Sequence, residues 1–187
     1  MEIWLVIGGC ALMLIIVFIW SFNSLVKLNE RVNEAWSDIT VQLKYRADLI
    51  PNLVEVVKGY AKHEKEAFSE VTKARKESIG AKTVKSASVA DDALTTSLGK
   101  VFAIAENYPN LKASDNFKKL QEQLEDVEDK IQAARRFYNT GTKDLNTKIK
   151  IFPSNIFARM MGFRLRDYFE VKDTEKALLE KTPEVKL

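Results

Sequence analysis

His63-Glu64 begins the pattern of a zinc hydrolase and goes no further. That chemistry needs a second His one turn along the same helix, so that two imidazoles and a general-base Glu converge, and His63 is the only histidine. A di-metal carboxylate bundle needs Glu and Glu-x-x-His on facing helices, which one His cannot complete. Glu106, Glu125 and Glu128 fit better as helix-surface carboxylates, with Lys130 or Arg135 as partners. No Ser, Cys or Lys stands beside a recognisable base, and no Gly-rich phosphate loop is present. The expectation is therefore no catalytic residue, no metal and no cofactor.

Other polar residues fall near apolar helical faces: Asn33, Asn52, Asn107, Asn116, Asn139 and Asn146, with Arg46 and Arg75. A buried Asn or Arg costs stability unless satisfied, and its best-attested use is to fix register or choice of partner. Two readings stay open for Arg46 and Asn139, an internal polar network or a groove that takes a partner's helix or tail. A second cluster, from Ile156 to Phe169, is dense in Phe and Met and carries Arg159, Arg164 and Arg166. It either closes the bundle or presents Phe157, Arg159, Phe163, Arg164 and Arg166 as an oligomer contact or membrane-surface patch.

These groups must be positioned by helices. From Leu25 the apolar residues recur at three- and four-residue steps: Leu25, Leu28, Val32, Ala35, Ile39, Leu43, Ile50, Leu53, Val57, Tyr60, Ala67, Val71 and Ala74. The phase is kept across Pro51, which predicts a kink in one helix rather than a new helix capped by Asp48. This reading carries one helix past Ala74, roughly 80 Å of it. Gly80 to Ser88 is the first clear break, with Asp91 or Asp92 as cap of the next helix, which Pro109 ends. Phe117, Leu120, Leu124, Val127, Ile131, Ala134, Tyr138, Gly141 and Leu145 then form a heptad seam after Ser114 or Asp115, of the kind that packs coiled-coil helices. Gly141 would let a partner helix come close. Pro153 closes this helix, and Ser154 can cap a short one ending before Gly162. With seven glycines and four prolines in the whole chain, the fold expected is all-α, an antiparallel bundle of long helices.

All of this follows a stretch from Ile3 to Phe22 without a single charge. Its twenty residues make a helix of about 30 Å, the thickness of a bilayer's hydrocarbon core. Twelve are Leu, Ile, Val or Phe, which sum to about −4 to −7 kcal/mol toward insertion. Trp4 and Trp20 stand near its ends, where indoles favour the interface. No cation precedes the stretch and no small-residue cleavage site follows it, so it is expected to stay as an anchor. Lys27, Arg31, Lys44 and Arg46 all lie after it, which predicts the N-terminus outside and the bundle in the cytoplasm. Cys10, the only cysteine, reads as a small apolar residue, and Gly8 and Gly9 as contact points between anchors. Leu25 and Leu28 continue the helix, so span and first bundle helix read as one. The parts expected are an anchor over residues 1–23, a bundle over 24–169 and a charged, mobile tail over 170–187. The formal charge of +3 against 29 bases and 26 acids, interspersed, excludes a nucleic-acid footprint.

Several linked blocks resemble the LemA family of bacterial membrane proteins. They are Asn29-x-x-x-Asn33-Glu34-Ala35-Trp36, the run from Gln42 to Val54, Glu106-Asn107-Tyr108-Pro109-Asn110, Ala134-Arg135-Arg136-Phe137-Tyr138-Asn139 and Phe152-Pro153-Ser154-Asn155. Phe22 and Leu145 stand where Tyr is usual. The resemblance implies a single N-terminal span and a cytoplasmic antiparallel helical domain; it implies no established enzymatic activity and leaves function open. The function expected is a membrane-anchored scaffold at the cytoplasmic (inner) membrane, acting by homo-oligomeric assembly, with other membrane or cytoplasmic proteins as further partners. The alternative is a sensory or regulatory module whose bundle binds a ligand, partner helix or lipid headgroup, in which Arg159, Arg164 and Arg166 would take part.

Overall fold

The structure, a computed structural model, describes residues 1–170. The tail expected over residues 170–187 lies outside them apart from Glu170. Among the described residues there are six helices and no strand: α1 (Glu2–Tyr60), α2 (Lys65–Gly80), α3 (Val84–Glu106), α4 (Pro109–Lys112), α5 (Asp115–Lys150) and α6 (Ser154–Met160). The chain is all-α, as periodicity predicts. Its contacts divide it into two units, residues 1–37 with 136–167, and residues 38–135 with the segment from Tyr168.

In the second unit, four helical segments run alternately up and down. Arg75 of α2 reaches back to Ala47 of α1, while Lys58 lies over the Phe68 ring at 5.6 Å, so these helices are antiparallel. Lys100 of α3 pairs with Glu70 of α2 at 2.6 Å, and Phe102 meets Phe117 of α5 edge to face at 6.2 Å. The predicted faces fill the core: Ile39, Leu43, Ile50, Leu53 and Val57 from α1, Val71 and Ala74 from α2, Leu94, Leu98 and Val101 from α3, and the seam from Phe117 to Ile131 of α5 are buried.

In the first unit, α5 runs antiparallel to α1. Trp36 lies 6.0 Å from Tyr138, the Arg31 guanidinium is 5.0 Å from the Phe137 ring, and Lys148 is 4.3 Å from the Trp20 ring. Leu25, Val32, Tyr138 and Leu145 are buried between them. A methyl on Gly141 would meet Val32 Cγ2 at 3.5 Å, an ordinary contact, so the close approach expected there does not require glycine. Residues 2–16 of α1 are exposed, and burial begins at Val17. α1 is the one described helix long and apolar enough to cross a membrane.

Three local expectations need correction. The first helix does not run past Ala74. It ends at Tyr60, and the chain reverses through Ala61–Glu64 into α2. This turn has neither Gly nor Pro within it, and it returns the apolar positions in phase, so spacing alone reads straight through it. α3 begins at Val84, capped by Thr83 and Ser86, whose side chains bond each other's backbone N–H in a capping box. Asp91, expected as a cap, is interior. Ser154 is the first residue of α6 rather than its cap, and its hydroxyl donates to the Lys148 carbonyl at 2.6 Å.

α1 is continuous through Pro51. Proline has no N–H to give the carbonyl four residues back, which belongs to buried Ala47. Arg75 Nε fills the vacancy, donating to Ala47 O at 2.7 Å. Its additional approach to Asp48, 3.9 Å and solvent-exposed, contributes little. Arg75→Ala should therefore cost about 1–3 kcal/mol, the cost of an unsatisfied buried carbonyl. Adding Pro51→Ala should recover much of that loss, because residue 51 then donates to Ala47 itself. Urea unfolding of the four variants in a double-mutant cycle measures the coupling, and strict additivity would refute this role for Arg75.

Candidate functional site: a buried ionic layer and a polar strap

The second unit has charges where a core layer should be apolar. In α3, Ala87, Asp91, Leu94, Leu98, Val101 and Ala105 recur at four- and three-residue steps and all are buried, so Asp91 holds a seam position. In α1, Arg46 lies next to Ala47, which links Leu43 to Ile50 at four- and three-residue steps, and both are buried. In α5, Arg135 lies next to Ala134 of the heptad seam and is the more buried of the two. The backbone thus delivers one carboxylate and two guanidiniums to one level.

Asp91 is 0% exposed and Arg46 1%. One Asp91 oxygen pairs with Arg46 and the other with Arg135. Arg46 also pairs with Glu128 of α5, donates to Thr95 Oγ1 at 3.2 Å, and donates to the Asp91 backbone carbonyl at 3.3 Å. Gln132 Nε2 donates to the other oxygen of Glu128 at 2.8 Å. The ring of buried Phe169 covers the Arg135 guanidinium at 4.8 Å. Two cations and two anions balance, which a low-dielectric site demands. Burial pulls the Arg46 guanidinium below its ordinary range, and Glu128 opposes that shift; an arginine stays charged regardless. Every charge in this layer is paired with another member, and the arrangement fixes helix register.

The first unit carries a second polar construction. The Asn146 amide donates to the Arg166 carbonyl at 2.9 Å and accepts from the Arg166 N–H at 2.9 Å, as a neighbouring strand would. Tyr138 Oη donates to the Asp167 carbonyl at 2.9 Å. Arg166 Nη2 reaches the side-chain oxygens of Asn29 and Asn33, each at 3.0 Å. Together these bonds strap the extended segment after Gly162 onto α1 and α5. Gly162 turns the chain into it with φ 75°, a conformation that favours glycine. Burial pushes the Tyr138 phenol above its ordinary pKa, so it remains the neutral donor the strap needs.

Of the residues singled out from sequence, Arg46 is inside the ionic layer and Arg166 is in the strap. Asn139 is half-buried on α5, with its side chain or backbone engaged. Phe157 and Phe163 are half-buried, while Arg159 and Arg164 are exposed. Arg46 belongs to the second unit, and Asn139, Phe157, Arg159, Phe163, Arg164 and Arg166 belong to the first. Sequence reasoning missed Asp91, taken for a cap, and Arg135, taken for a surface partner. The signal in the residues is only that Arg46 and Arg135 each adjoin a small seam residue, Ala47 and Ala134. Among the described residues, no group of three or more His, Cys, Asp or Glu is placed to hold a metal.

Asp91→Asn should destabilise the second unit by about 3–5 kcal/mol, since it leaves buried Arg135 with no carboxylate and Arg46 with only the half-buried Glu128. Denaturant unfolding of the solubilised full chain measures this, and a loss below about 1 kcal/mol, the worth of an exposed pair, would contradict the layer. Asn146→Ala removes both strap bonds and should cost about 1–3 kcal/mol. Its specific signature is faster proteolysis after Gly162 with the second unit's unfolding unchanged.

The LemA family model matches residues 35–187, so most of the chain lies within it. Asn29 and Asn33 of the strap precede the matched range. The magnetosome protein MamQ of Magnetospirillum gryphiswaldense is 27% identical over 177 residues, which cover 81% of this chain and 65% of that protein. A second MamQ, from Paramagnetospirillum magneticum, is 25% identical over the same coverage. The present chain therefore spans a little under two thirds of the magnetosome relatives it matches. Protein LemA of Metamycoplasma hominis is 26% identical over 161 residues, 86% of this chain and 74% of that one. With the family model covering far more than half of its length, this chain belongs to the LemA family.

Proposed function

We propose that this protein is a membrane-anchored helical scaffold that works by association, chiefly with copies of itself, and performs no chemistry of its own. The observation that carries this reading is the uncharged helical stretch of α1, exposed from Ile3 through Ile16. A soluble protein would bury such a surface, so a bilayer is its natural solvent. The buried charges support the same reading, because they are spent on each other. Gly8 and Gly9 have open space around them, which suits close contact between neighbouring anchors.

The membrane is the bacterial cytoplasmic one in this reading, with the N-terminus outside and the bundle in the cytoplasm, because the cations follow the span. A Cys10→Ser, Ser78→Cys variant should resist an impermeant thiol reagent in intact cells and react after lysis; labelling in intact cells would reverse the orientation. Light scattering of the detergent-extracted chain should give a protein mass of at least two copies, and strict monomers at all concentrations would count against assembly.

One observation favours a second reading, a regulatory module that binds a ligand. Lys58, Lys62, Lys65, Lys73 and Lys76 line a cavity of about 720 Å³ between α1 and α2, with buried Phe68 in its wall. None of the five pairs with a carboxylate among the described residues. Such a cavity suits an anionic ligand.

A further inference from the structure

α6 packs against the last turns of the apolar stretch. Phe157 meets Phe18 edge to face at 5.2 Å, and Lys148 lies over Trp20. Val17 and Phe18 are half-buried and Ser21 is buried, in contrast to the exposed residues before them. Phe18 sits four residues before the end of the stretch at Phe22, which is about 6 Å along the helix axis. If Ile3–Phe22 crosses the hydrocarbon, α6 is held at the depth where an amphipathic helix rests, about 5–10 Å below the headgroup boundary.

Composition agrees with that position. Residues 145–166 contain no Asp or Glu and five cations, Lys148, Lys150, Arg159, Arg164 and Arg166. Phe152, Ile156 and Met160 recur at four-residue steps and are 78%, 50% and 72% exposed. Exposed Arg159 and Arg164 have long apolar stems that let their charges reach headgroup phosphates while neighbouring rings stay in the acyl region.

We propose that the segment from Ile151 to Met161 is a second membrane contact, a foot that rests in the cytoplasmic-side interface of an anionic bilayer with Phe152, Ile156 and Met160 inserted. It deepens the anchored-scaffold reading and rests on Ile3–Phe22 being a span. Two points of attachment would stop the first unit from swivelling about its anchor and set its tilt relative to the bilayer.

Nitroxide depth measurement on the full chain tests this, in liposomes of phosphatidylcholine with phosphatidylglycerol. In a Cys10→Ser background, single labels are placed through Ile15→Cys, Met160→Cys and Val89→Cys. Val89 is exposed in the second unit and gives the aqueous reference. The labels at 15 and 160 should both collide more with oxygen than with a water-soluble nickel chelate, and the label at 89 should show the reverse. An aqueous reading at 160 with a lipid reading at 15 overturns the foot and leaves the span intact. Aqueous readings at both sink the two together. Dipolar broadening at 160 would show that a second copy covers this face, which also overturns the proposal.

Discussion

A carboxylate with no access to water, held between two guanidiniums from two other helices, is the constraint on which the second unit depends. Asp91 cannot be hydrated where it stands, so its charge is tolerable only with Arg46 and Arg135 on either side. That requirement sets the level of α3 against α1 and α5. A shift of one helix by a turn would leave a charge unpaired in the core, whereas the surrounding Leu, Ile and Val contacts would tolerate many arrangements. An apolar layer of the same volume could be equally stable, and it would specify the register less sharply.

The same principle recurs at smaller scale. Pro51 leaves a carbonyl open in α1 and Arg75 of α2 closes it, so a defect in one helix becomes a contact with the next. Asn146 offers the segment at Arg166 the two bonds that a strand would, and an irregular stretch is fixed without regular structure. In each case a polar group inside the protein finds its partner inside the protein. Two outward surfaces are apolar, the front of α1 and the face that carries Phe152, Ile156 and Met160.

Much of this was legible in the residues. A charge-free stretch bounded by Trp4 and Trp20 stands out against any background, and the seam from Phe117 to Leu145 is regular enough that nearly every one of its positions is buried. The turn at Ala61–Glu64 was not legible, because it lacks Gly and Pro and preserves the phase of the apolar positions. The ionic layer was hidden for a different reason. A charge at a seam position looks like an interruption of the pattern until its partners are known, and those lie 45 and 44 positions away in sequence, from Arg46 to Asp91 and from Asp91 to Arg135. Likewise Arg166 and Asn29 meet across 137 positions. Periodicity reports which face of a helix is buried, and carries no information on which distant charge shares that face.

We propose that this LemA-family protein, whose buried ionic layer is spent on its own fold, acts through association at the membrane. Lysine-directed crosslinking of the full chain in native membranes, with mass spectrometry of the products, measures this most directly. The account predicts crosslinked species containing two or more copies of the chain. Recovery of the single, uncrosslinked chain alone, under conditions that trap a known membrane dimer in the same sample, would contradict it.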